Sequence, residues 1–299
     1  MLELKPVSFD IKTELDEIFK TENSRSADFC FGNIYMWDKR FDQSVAAVGG
    51  RLITLLHRRG VKCFAFPVGS GDIRPAFEEM LAICRELGIP LRISGICDEH
   101  LPLIESAFPD CFSIAEDRDF SDYIYDIDAL ASYGGKHLHS KRNFCNRFEQ
   151  ENDWQFVPLT EKLIPACEEM LEKWNKEASG RLGSGISYEQ DAISRCFAHF
   201  TKLGLEGGVL LSGGGVAGFT VGEMISSDTF CIHFEKAFSR IDGAYPMVCR
   251  EMARLIKASR PEARYVNRED DMGLESLRKS KLSYKPEYIL RKYTAAWIK

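Results

Sequence analysis

The feature that most constrains the fold of this chain is a repeated order of predicted secondary-structure elements. In the first half, two β-rich runs, "RLITLLHRR" and "VKCFAFPV", precede an amphipathic run, a short strand, a short helix and a further strand. The second half repeats this β-β-α-β-α-β order, from the hairpin "GVLLSGGGVAGFTVGEM" to the closing strand "EYILRKYTAAWI". Apolar residues at helical spacing distinguish the helices from the β-rich runs. The repeat therefore predicts two similar domains of mixed α/β structure.

The boundary between the two copies is predicted near "EDRDFSDYIYDI", at residues 116–127. A chain of 299 residues is long enough for two domains, which we place at 1–118 and 119–299. The second copy is preceded by three predicted helical segments, at 136–150, 161–179 and 188–204.

Composition and charge argue against several classes of protein. A formal net charge of −6 is unlike that of a strongly basic nucleic-acid-binding protein, so a polyanion would need a local cationic patch. Ten scattered cysteines without a CxxC pair indicate buried reduced thiols rather than a disulfide framework. The acidic N-terminus lacks an apolar signal core, and no apolar run approaches the roughly 18 residues of a membrane span. We therefore expect a cytoplasmic protein.

Three stretches carry a resemblance to a known family. They are "FCFGNIYMWD", "DYIYDIDALASYGGKHLHSKRNFCNRFE" and "VNREDDMGLESLRKSKLSYKPEYILRKY". Together with the order of elements, they resemble the phosphatidylglycerol lysyltransferase C-terminal domain family over nearly the whole chain. The last stretch is the most specific of the three.

This resemblance implies an α/β (mixed α+β) fold of tandem GNAT-like (acyl-CoA N-acyltransferase) domains. Each domain is expected to be a mixed, mostly antiparallel sheet flanked by helices, and the fold is related to that of the Fem aminoacyltransferases. The lysyltransferase moves an aminoacyl group from a charged tRNA to a lipid head group. We expect no transmembrane half in this chain, which leaves the choice of a lipid acceptor open.

The stretch "RIDGAY" is similar to the GNAT pyrophosphate loop, which places a helix start against the phosphates of CoA. Arg240 and Gly243 match the loop pattern, but Tyr245 stands where a small residue is expected. N–H groups at Gly243 and Ala244 would bind an anion or a developing oxyanion. The bulk of Tyr245 favours an aminoacyl-tRNA donor over acyl-CoA. In the first copy Asp72 precedes the corresponding helix, which predicts a structural or acceptor-binding role for that domain.

The stretch "GGKHLHSKRNFCNRF" predicts a cationic stripe on one helix of an acidic protein. Such a stripe suits a phosphate-rich ligand such as tRNA, and the alternative is a solvated helix face. The neighbouring His137 and His139 lack a partner at metal-ligand spacing, so no metal is expected. The candidate donor-binding residues of this stripe are Lys136, Lys141, Arg142, Asn143 and Arg147.

Glu223 and Glu235, near the ends of adjacent predicted strands, are the candidate general bases. Acyl transfer to an amine needs a group that takes the amine proton, and a carboxylate can do so directly or through water. His233 alternates with Glu235 on the same predicted strand face, where it could hydrogen-bond that carboxylate. Tyr284 is the candidate general acid by resemblance to GNAT enzymes. The alternatives are surface glutamates and a tyrosine packed under Pro286.

The run "YVNREDDMGLESLRKSKLSYKP" combines a strand, an acidic loop and a short basic helix. Asp270 and Asp271 are predicted to cap that helix. Ligands of open α/β sheets bind at the carboxyl ends of strands, so residues around this loop are expected to face a cleft. The candidate ligand-binding residues here are Asn267, Arg268, Arg278 and Lys281.

These features predict an acyltransferase that moves an aminoacyl group from aminoacyl-tRNA to an amine or hydroxyl acceptor. The acceptor would be a small molecule or a lipid head group, and no tightly bound cofactor or metal is expected. One alternative is an acyl-CoA-dependent N-acetyltransferase. Another is a non-catalytic module that binds tRNA or a phosphorylated ligand. The oligomeric state is left open.

Overall fold

A computed structural model describes residues 2–178 and 185–299, with only the backbone described at 178 and 185–187. The chain forms two compact units. Unit 1 comprises Met1–Asp122, Asp270–Leu274 and Ile289–Lys299, and unit 2 comprises Tyr123–Glu269 and Glu275–Tyr288.

Unit 1 is a seven-stranded sheet with helices. Its first strands are β1 (Lys5–Pro6), β2 (Ser44–Val48), β3 (Arg51–Arg58), β4 (Val61–Ala65), β5 (Arg92–Cys97) and β6 (Phe112–Glu116). Its helices are α1 (Lys12–Glu22), α2 (Phe31–Phe41), α3 (Arg74–Leu87) and α4 (Leu101–Ala107).

Unit 2 contains a second seven-stranded sheet. The strands are β7 (Asp122–Asp126), β8 (Trp154–Pro158), β9 (Glu206–Ser212), β10 (Gly215–Met224), β11 (Thr229–Ala237), β12 (Tyr265–Asn267) and β13 (Tyr288–Leu290). The helices are α5 (Ile127–Ser132), α6 (His139–Glu151), α7 (Ile164–Ala178), α8 (Gly185–Ala198), α9 (Phe200–Leu203), α10 (Ala244–Ser259) and α11 (Glu275–Ser283). The last strand of the chain, β14 (Lys292–Trp297), belongs to the sheet of unit 1.

The two sheets have the same strand order, and the sequence repeat predicted two such similar units. The orders are β1-β2-β3-β4-β5-β14-β6 and β8-β9-β10-β11-β12-β7-β13. Each sheet contains a parallel pair whose two strands are connected by a helix: α3 connects β4 with β5, and α10 connects β11 with β12. This arrangement follows because parallel neighbours require a crossover connection, which here is an amphipathic helix.

The strand at the sixth position of each sheet does not follow the domain boundary that the sequence predicts. In unit 1 it is filled by β14 from the end of the chain, which pairs antiparallel with β5 and β6. In unit 2 it is filled by β7, which pairs antiparallel with β12. The run predicted as one closing strand divides into β13, in the second sheet, and β14, in the first. A single cut between residues 118 and 119 therefore does not describe the units.

The predicted helices are largely present, with shifted ends. The segment expected at 136–150 forms α6, which begins at His139, so Lys136 lies in the preceding turn. The segment expected at 161–179 forms α7 from Ile164, and residue 179 lies outside the described residues. The segment expected at 188–204 forms α8 and α9.

Cysteine usage agrees with the predicted buried thiols. All ten cysteines lie within the described ranges and none of them forms a disulfide, and each except Cys111 is buried. Among the residues that the structure describes, no helix combines the length and apolar character needed to cross a bilayer.

A β-bulge interrupts the pairing of β10 with β11. Val221 pairs with Phe234 but Gly222 pairs with Ile232, which leaves His233 as the extra residue. A bulge changes the alternation of side chains along the strand. Here it places His233 on the face of Glu223, and Glu235 on the opposite face of the sheet. The predicted same-face pairing of His233 with Glu235 is therefore wrong.

The bulge requires glycine at position 222. A Cβ there would lie 1.9 Å from the carbonyl oxygen of Cys231, which is backbone and cannot rotate away. We expect Gly222→Ala to destabilise unit 2 by about 1–3 kcal/mol, the usual penalty of overpacking, in urea unfolding. Gly215→Ala in the same strand is the matched control, because its Cβ would meet nothing within 4 Å. Equal stability of the two variants would contradict this account of the bulge.

Candidate active site

The bulge holds His233 between two carboxylates of unit 2. Its Nε2 lies 3.1 Å from Oε1 of Glu223, and its Nδ1 lies 2.9 Å from Oε1 of Glu269. A neutral imidazole donates through one nitrogen only, while an ionised carboxylate only accepts. Both hydrogen bonds can form together only if the three groups share one additional proton. This Glu223–His233–Glu269 relay is therefore a place where a proton can be stored and moved.

The relay lies where two parallel strands separate. Strands β11 and β12 pair as far as Cys231 opposite Asn267 and are unpaired beyond that point. Asn267 is fully buried, and its Oδ1 accepts a hydrogen bond from the amide of Glu269 at 2.6 Å. That contact stabilises Glu269 in a left-handed backbone conformation with φ of 54°. The carboxyl ends of such strands are the usual ligand sites of α/β sheets.

The exposure of the three groups indicates where a substrate can reach the relay. The His233 side chain is fully buried, whereas the carboxylates of Glu223 and Glu269 are 15% and 20% exposed. An acceptor could contact either carboxylate but not the imidazole. The carboxylates are thus the candidate proton acceptors, and His233 positions them and carries the proton between them.

A second charged cluster occupies the other face of the sheet. Nη2 of Arg268 forms an ion pair with Oε1 of Glu235 at 2.7 Å. The Arg268 guanidinium also lies 4.4 Å from the ring centroid of Tyr284, and the ammonium of Lys141 lies 3.8 Å from the same centroid. These cation–π contacts bring three predicted site residues into one cluster: one from α6, one directly after β12 and one directly after α11.

The Arg268 guanidinium retains an unused donor. Its Nη1 is buried and has no hydrogen-bond partner among the described residues. A buried N–H group without a hydrogen-bond partner costs stability, so an unpaired Nη1 in the folded protein needs a functional or structural reason. A buried cationic N–H is a suitable donor for an oxyanion that forms only in a transition state.

Burial sets the protonation of the groups around Arg268. It raises the pKa of Tyr284 well above its usual value, so this phenol stays protonated. Burial also lowers the pKa of Lys141, and the Arg268 guanidinium adds to this effect. Burial raises the pKa of Cys249 to about 11, which makes this thiol a poor nucleophile. The role of Tyr284 as a general acid stays a prediction.

The start of α10 offers little space for a pyrophosphate. Gly243 has φ of 83°, and a Cβ there would lie 2.6 Å from the carbonyl oxygen of Phe144 in α6. The amide of Ala244 already donates to the carbonyl of Ile241 at 3.1 Å. An oxyanion held by the Gly243 and Ala244 amides would thus require this turn to open, and that role stays a prediction without support from the geometry. The hydroxyl of Tyr245 accepts a hydrogen bond from the indole nitrogen of Trp174, a half-buried residue, at 3.2 Å.

The cationic stripe is largely engaged in contacts within the chain. Arg142 donates to the carbonyl of Tyr133 at 2.6 Å and thereby holds the turn before α6. Arg147 forms an ion pair with Asp242, and Arg240 forms one with Glu177. The remaining predicted members are the exposed Lys136 and Asn143, whose amide contacts His139. These residues do not converge on the cluster around Arg268. Among the described contacts of the stripe, the one with that cluster is made by Lys141, through the ring of Tyr284.

The C-terminal candidates hold the loop after β12 in place. Nζ of Lys281 donates to the carbonyl of Arg268, and Arg278 is half-buried on the same helix. In unit 1, Oδ1 of Asp271 accepts from the amide of Gly273 and Oδ1 of Asp270 accepts from the amide of Met272, both at 2.9 Å. The two acids thus stabilise the turn at 270–274.

Comparison with known proteins identifies the family of this chain. The family model "Phosphatidylglycerol lysyltransferase, C-terminal" matches residues 19–296. The chain belongs to this family. The resemblance of the three sequence stretches is thereby confirmed. No match was found among curated proteins.

Solved structures share the fold of this lysyltransferase C-terminal family. A conserved protein of unknown function from Bacteroides thetaiotaomicron is 31% identical, with a TM-score of 0.94 and full coverage of both chains. L-PGS from Bacillus licheniformis is 16% identical with a TM-score of 0.67, over 98% of this chain and 93% of that chain. FemX is 10% identical with a TM-score of 0.63, over 99% and 98%. These likenesses confirm the tandem GNAT-like fold, and family and fold together support an acyltransferase.

Glu269 is the site residue that sequence reasoning did not select as a base. It lies 36 positions from His233 along the chain, and no local pattern links the two residues. The acidic run that follows Arg268 is the one local signal, since it supplies a carboxylate directly after a strand.

Proposed function

We propose that this chain transfers an aminoacyl group from an aminoacyl-tRNA ester to an amine or hydroxyl acceptor. The observation that carries the proposal is the Glu223–His233–Glu269 relay at the separation of β11 and β12. The attacking group of the acceptor must lose a proton as its bond to the carbonyl carbon forms. The relay offers two partly exposed carboxylates to take this proton and a buried imidazole to share it.

In this mechanism the acceptor nitrogen or oxygen attacks the ester carbonyl and yields its proton to Glu223 or Glu269. We place the ester carbonyl in the opening between β11 and β12, where the two faces of the sheet meet. There the negative charge that develops on the carbonyl oxygen can be stabilised by the unused Nη1 donor of Arg268 on the face opposite the relay. The carbon–oxygen bond to the ribose then breaks, and the ribose oxygen takes up a proton. Tyr284 is the candidate donor of that proton.

Two observations favour an aminoacyl ester over acyl-CoA. The close approach of Phe144 to Gly243 leaves little room for a pyrophosphate at the start of α10. The carboxylates of the relay also suit the α-ammonium group of an aminoacyl donor, which a simple acyl-CoA lacks. For the acceptor, both a lipid head group and a small molecule stay open.

The proposal predicts consumption of charged tRNA. The purified chain is incubated with bulk tRNA carrying radiolabelled amino acids, and in parallel with radiolabelled acetyl-CoA. Pooled amines, hydroxyl compounds and phosphatidylglycerol in mixed micelles serve as acceptors. We expect label to leave tRNA well above the rate without protein and to appear in an acceptor, with acetyl-CoA unchanged.

The other outcomes separate the alternatives. Consumption of acetyl-CoA alone would make the chain an acyl-CoA-dependent transferase and overturn the donor assignment. Binding of tRNA that weakens steeply with salt, without loss of label, would indicate a binding module, because phosphate contacts release counterions.

A further inference from the structure

Unit 1 contains a cavity that the proposed transfer reaction does not use. It lies between one face of the β3–β4–β5 sheet and the helices α1 and α2, and it encloses about 560 Å³ including the solvent at its mouth. Its walls combine apolar side chains with polar groups. The polar lining residues are Asp28, Asn33, Gln43, Thr54, Arg58 and Ser94.

Two charged groups of opposite sign in this lining have unused hydrogen-bonding capacity. Oδ2 of Asp28 and Nε of Arg58 are both buried atoms without a hydrogen-bond partner among the described residues. Oδ2 of Asp28 lies 3.0 Å from Nζ of Lys292, but outside hydrogen-bond geometry. The Arg58 guanidinium rests on the ring of Phe120, with 3.8 Å between its central carbon and the ring centroid. The cavity wall therefore contains a donor, Nε of Arg58, that has no hydrogen-bond partner in the described part of the chain, and a carboxylate oxygen, Oδ2 of Asp28, that is ion-paired with Lys292 and can accept one further hydrogen bond.

The surrounding structure fixes Asp28 at the cavity wall. Gly95 has φ of 69°, and a Cβ there would lie 3.0 Å from Oδ2 of Asp28, so only glycine leaves room for the carboxylate. Burial opposes ionisation of Asp28, but the charges of Lys292 and Arg58 hold its pKa below the usual value. The Asp28 side chain lines the cavity and is 26% exposed as a whole, while its Oδ2 atom is buried.

The two charged residues that line the cavity, Asp28 and Arg58, carry opposite charges. Behind the cavity wall, the buried ammonium of Lys292 contacts both Asp28 and Asp122. A ligand with a net charge would disturb the balance of the two lining charges at a buried site, whereas a zwitterion would not. A ligand ammonium can donate to Oδ2 of Asp28, and a ligand carboxylate can accept from Nε of Arg58.

We propose that this cavity of unit 1 binds a small zwitterion, in which an ammonium group meets Asp28 and an anionic group meets Arg58. The apolar part of the wall, which includes Phe29, Leu52 and Phe66, suits an α-amino acid with an apolar side chain. The same pairing of charges occurs in an ethanolamine phosphate head group. The site does not depend on the transfer reaction proposed for unit 2.

Titration calorimetry on the full chain tests the site directly. The probes are L-leucine, L-phenylalanine and glycerophosphoethanolamine. Two leucine analogues complete the set, namely leucinamide, which lacks the carboxylate, and 4-methylpentanoate, which lacks the ammonium. We expect one class of zwitterion to bind, and both leucine analogues to bind at least about tenfold more weakly than leucine if amino acids are the ligands. Binding of glycerophosphoethanolamine alone would assign the site to a lipid head group.

Three variants locate the binding in the cavity. Asp28→Asn keeps the size of the side chain and is expected to lower the affinity for the zwitterion by about tenfold or more. Ala65→Leu fills the cavity without changing a charge and is expected to have the same effect. Asp72→Asn, an exposed carboxylate of the same unit, is the control and should bind normally.

The proposal is overturned if no zwitterion binds at millimolar concentration, or if leucinamide and 4-methylpentanoate bind as well as leucine. It is also overturned if Asp28→Asn and Ala65→Leu, shown by circular dichroism to be folded, bind like the unaltered chain. None of these results depends on whether the chain consumes aminoacyl-tRNA, so the two proposals fail independently.

Discussion

Replacing His233 with glutamine is expected to lower the rate of acyl transfer by about 100-fold or more, the usual contribution of general acid–base catalysis. Glutamine retains an N–H group that can donate to Glu223 or Glu269, so the packing of the bulge is preserved. It has no basic nitrogen, however, and cannot take up a proton near neutral pH as an imidazole does. The rate with the most active donor and acceptor pair measures this effect.

The pH profile distinguishes proton transfer from a structural role. Loss of the relay should remove the part of the pH dependence that reports the shared proton, while the Michaelis constant for the donor changes little. His139→Gln on α6 is the matched control and should leave the rate unchanged, because this histidine is exposed and its ring contacts the side-chain amide of Asn143, away from the relay. A folded His233→Gln protein with normal activity would remove the relay from the mechanism.

Replacing Lys292 with methionine is expected to lower the free energy of unfolding of unit 1 by about 3–5 kcal/mol, the range measured when one partner of a buried ion pair is removed. The side chain is 1% exposed, and its Nζ lies 2.9 Å from Oδ1 of Asp122 and 3.0 Å from Oδ2 of Asp28. Burial disfavours the ammonium, but the two carboxylates raise the pKa of Lys292 far above its usual value. Without the ammonium, two carboxylates remain close together in the interior.

Urea unfolding followed by circular dichroism measures this loss. Lys62→Met is the control, because Lys62 is exposed on β4 of the same sheet and should change stability little. Adding Asp122→Asn to Lys292→Met should restore part of the stability, since it removes one of the uncompensated charges. A Lys292→Met protein as stable as the control would show that the buried network does not stabilise unit 1.

The fold was predictable from the sequence to the level of the repeated unit. Strand alternation and helical spacing are local properties, and each copy carries them in the same order, so two similar α/β units follow from pattern alone. The sixth strand of each sheet was not predictable in this way. Strand β14 is separated from β5 by nearly two hundred residues, and its place between β5 and β6 is a long-range pairing that no local pattern shows.

The candidate site was predictable only in part. Sequence reasoning selected Glu223, Glu235, Arg268, Tyr284 and Lys141, and the structure brings the last four into one cluster. It also selected a cationic stripe whose arginines are engaged in contacts within the chain. The charge of a residue can be read from sequence, but the partner that neutralises it depends on tertiary packing.

The sequence by itself determined the class of fold, the repeat and the residue types available for proton transfer. Only the tertiary structure decided their pairing. One extra residue in β11 moves His233 away from Glu235 and places it between Glu223 and Glu269. The physical reason is that side chains alternate with a period of two along a strand, so a single inserted residue exchanges the two faces of everything that follows.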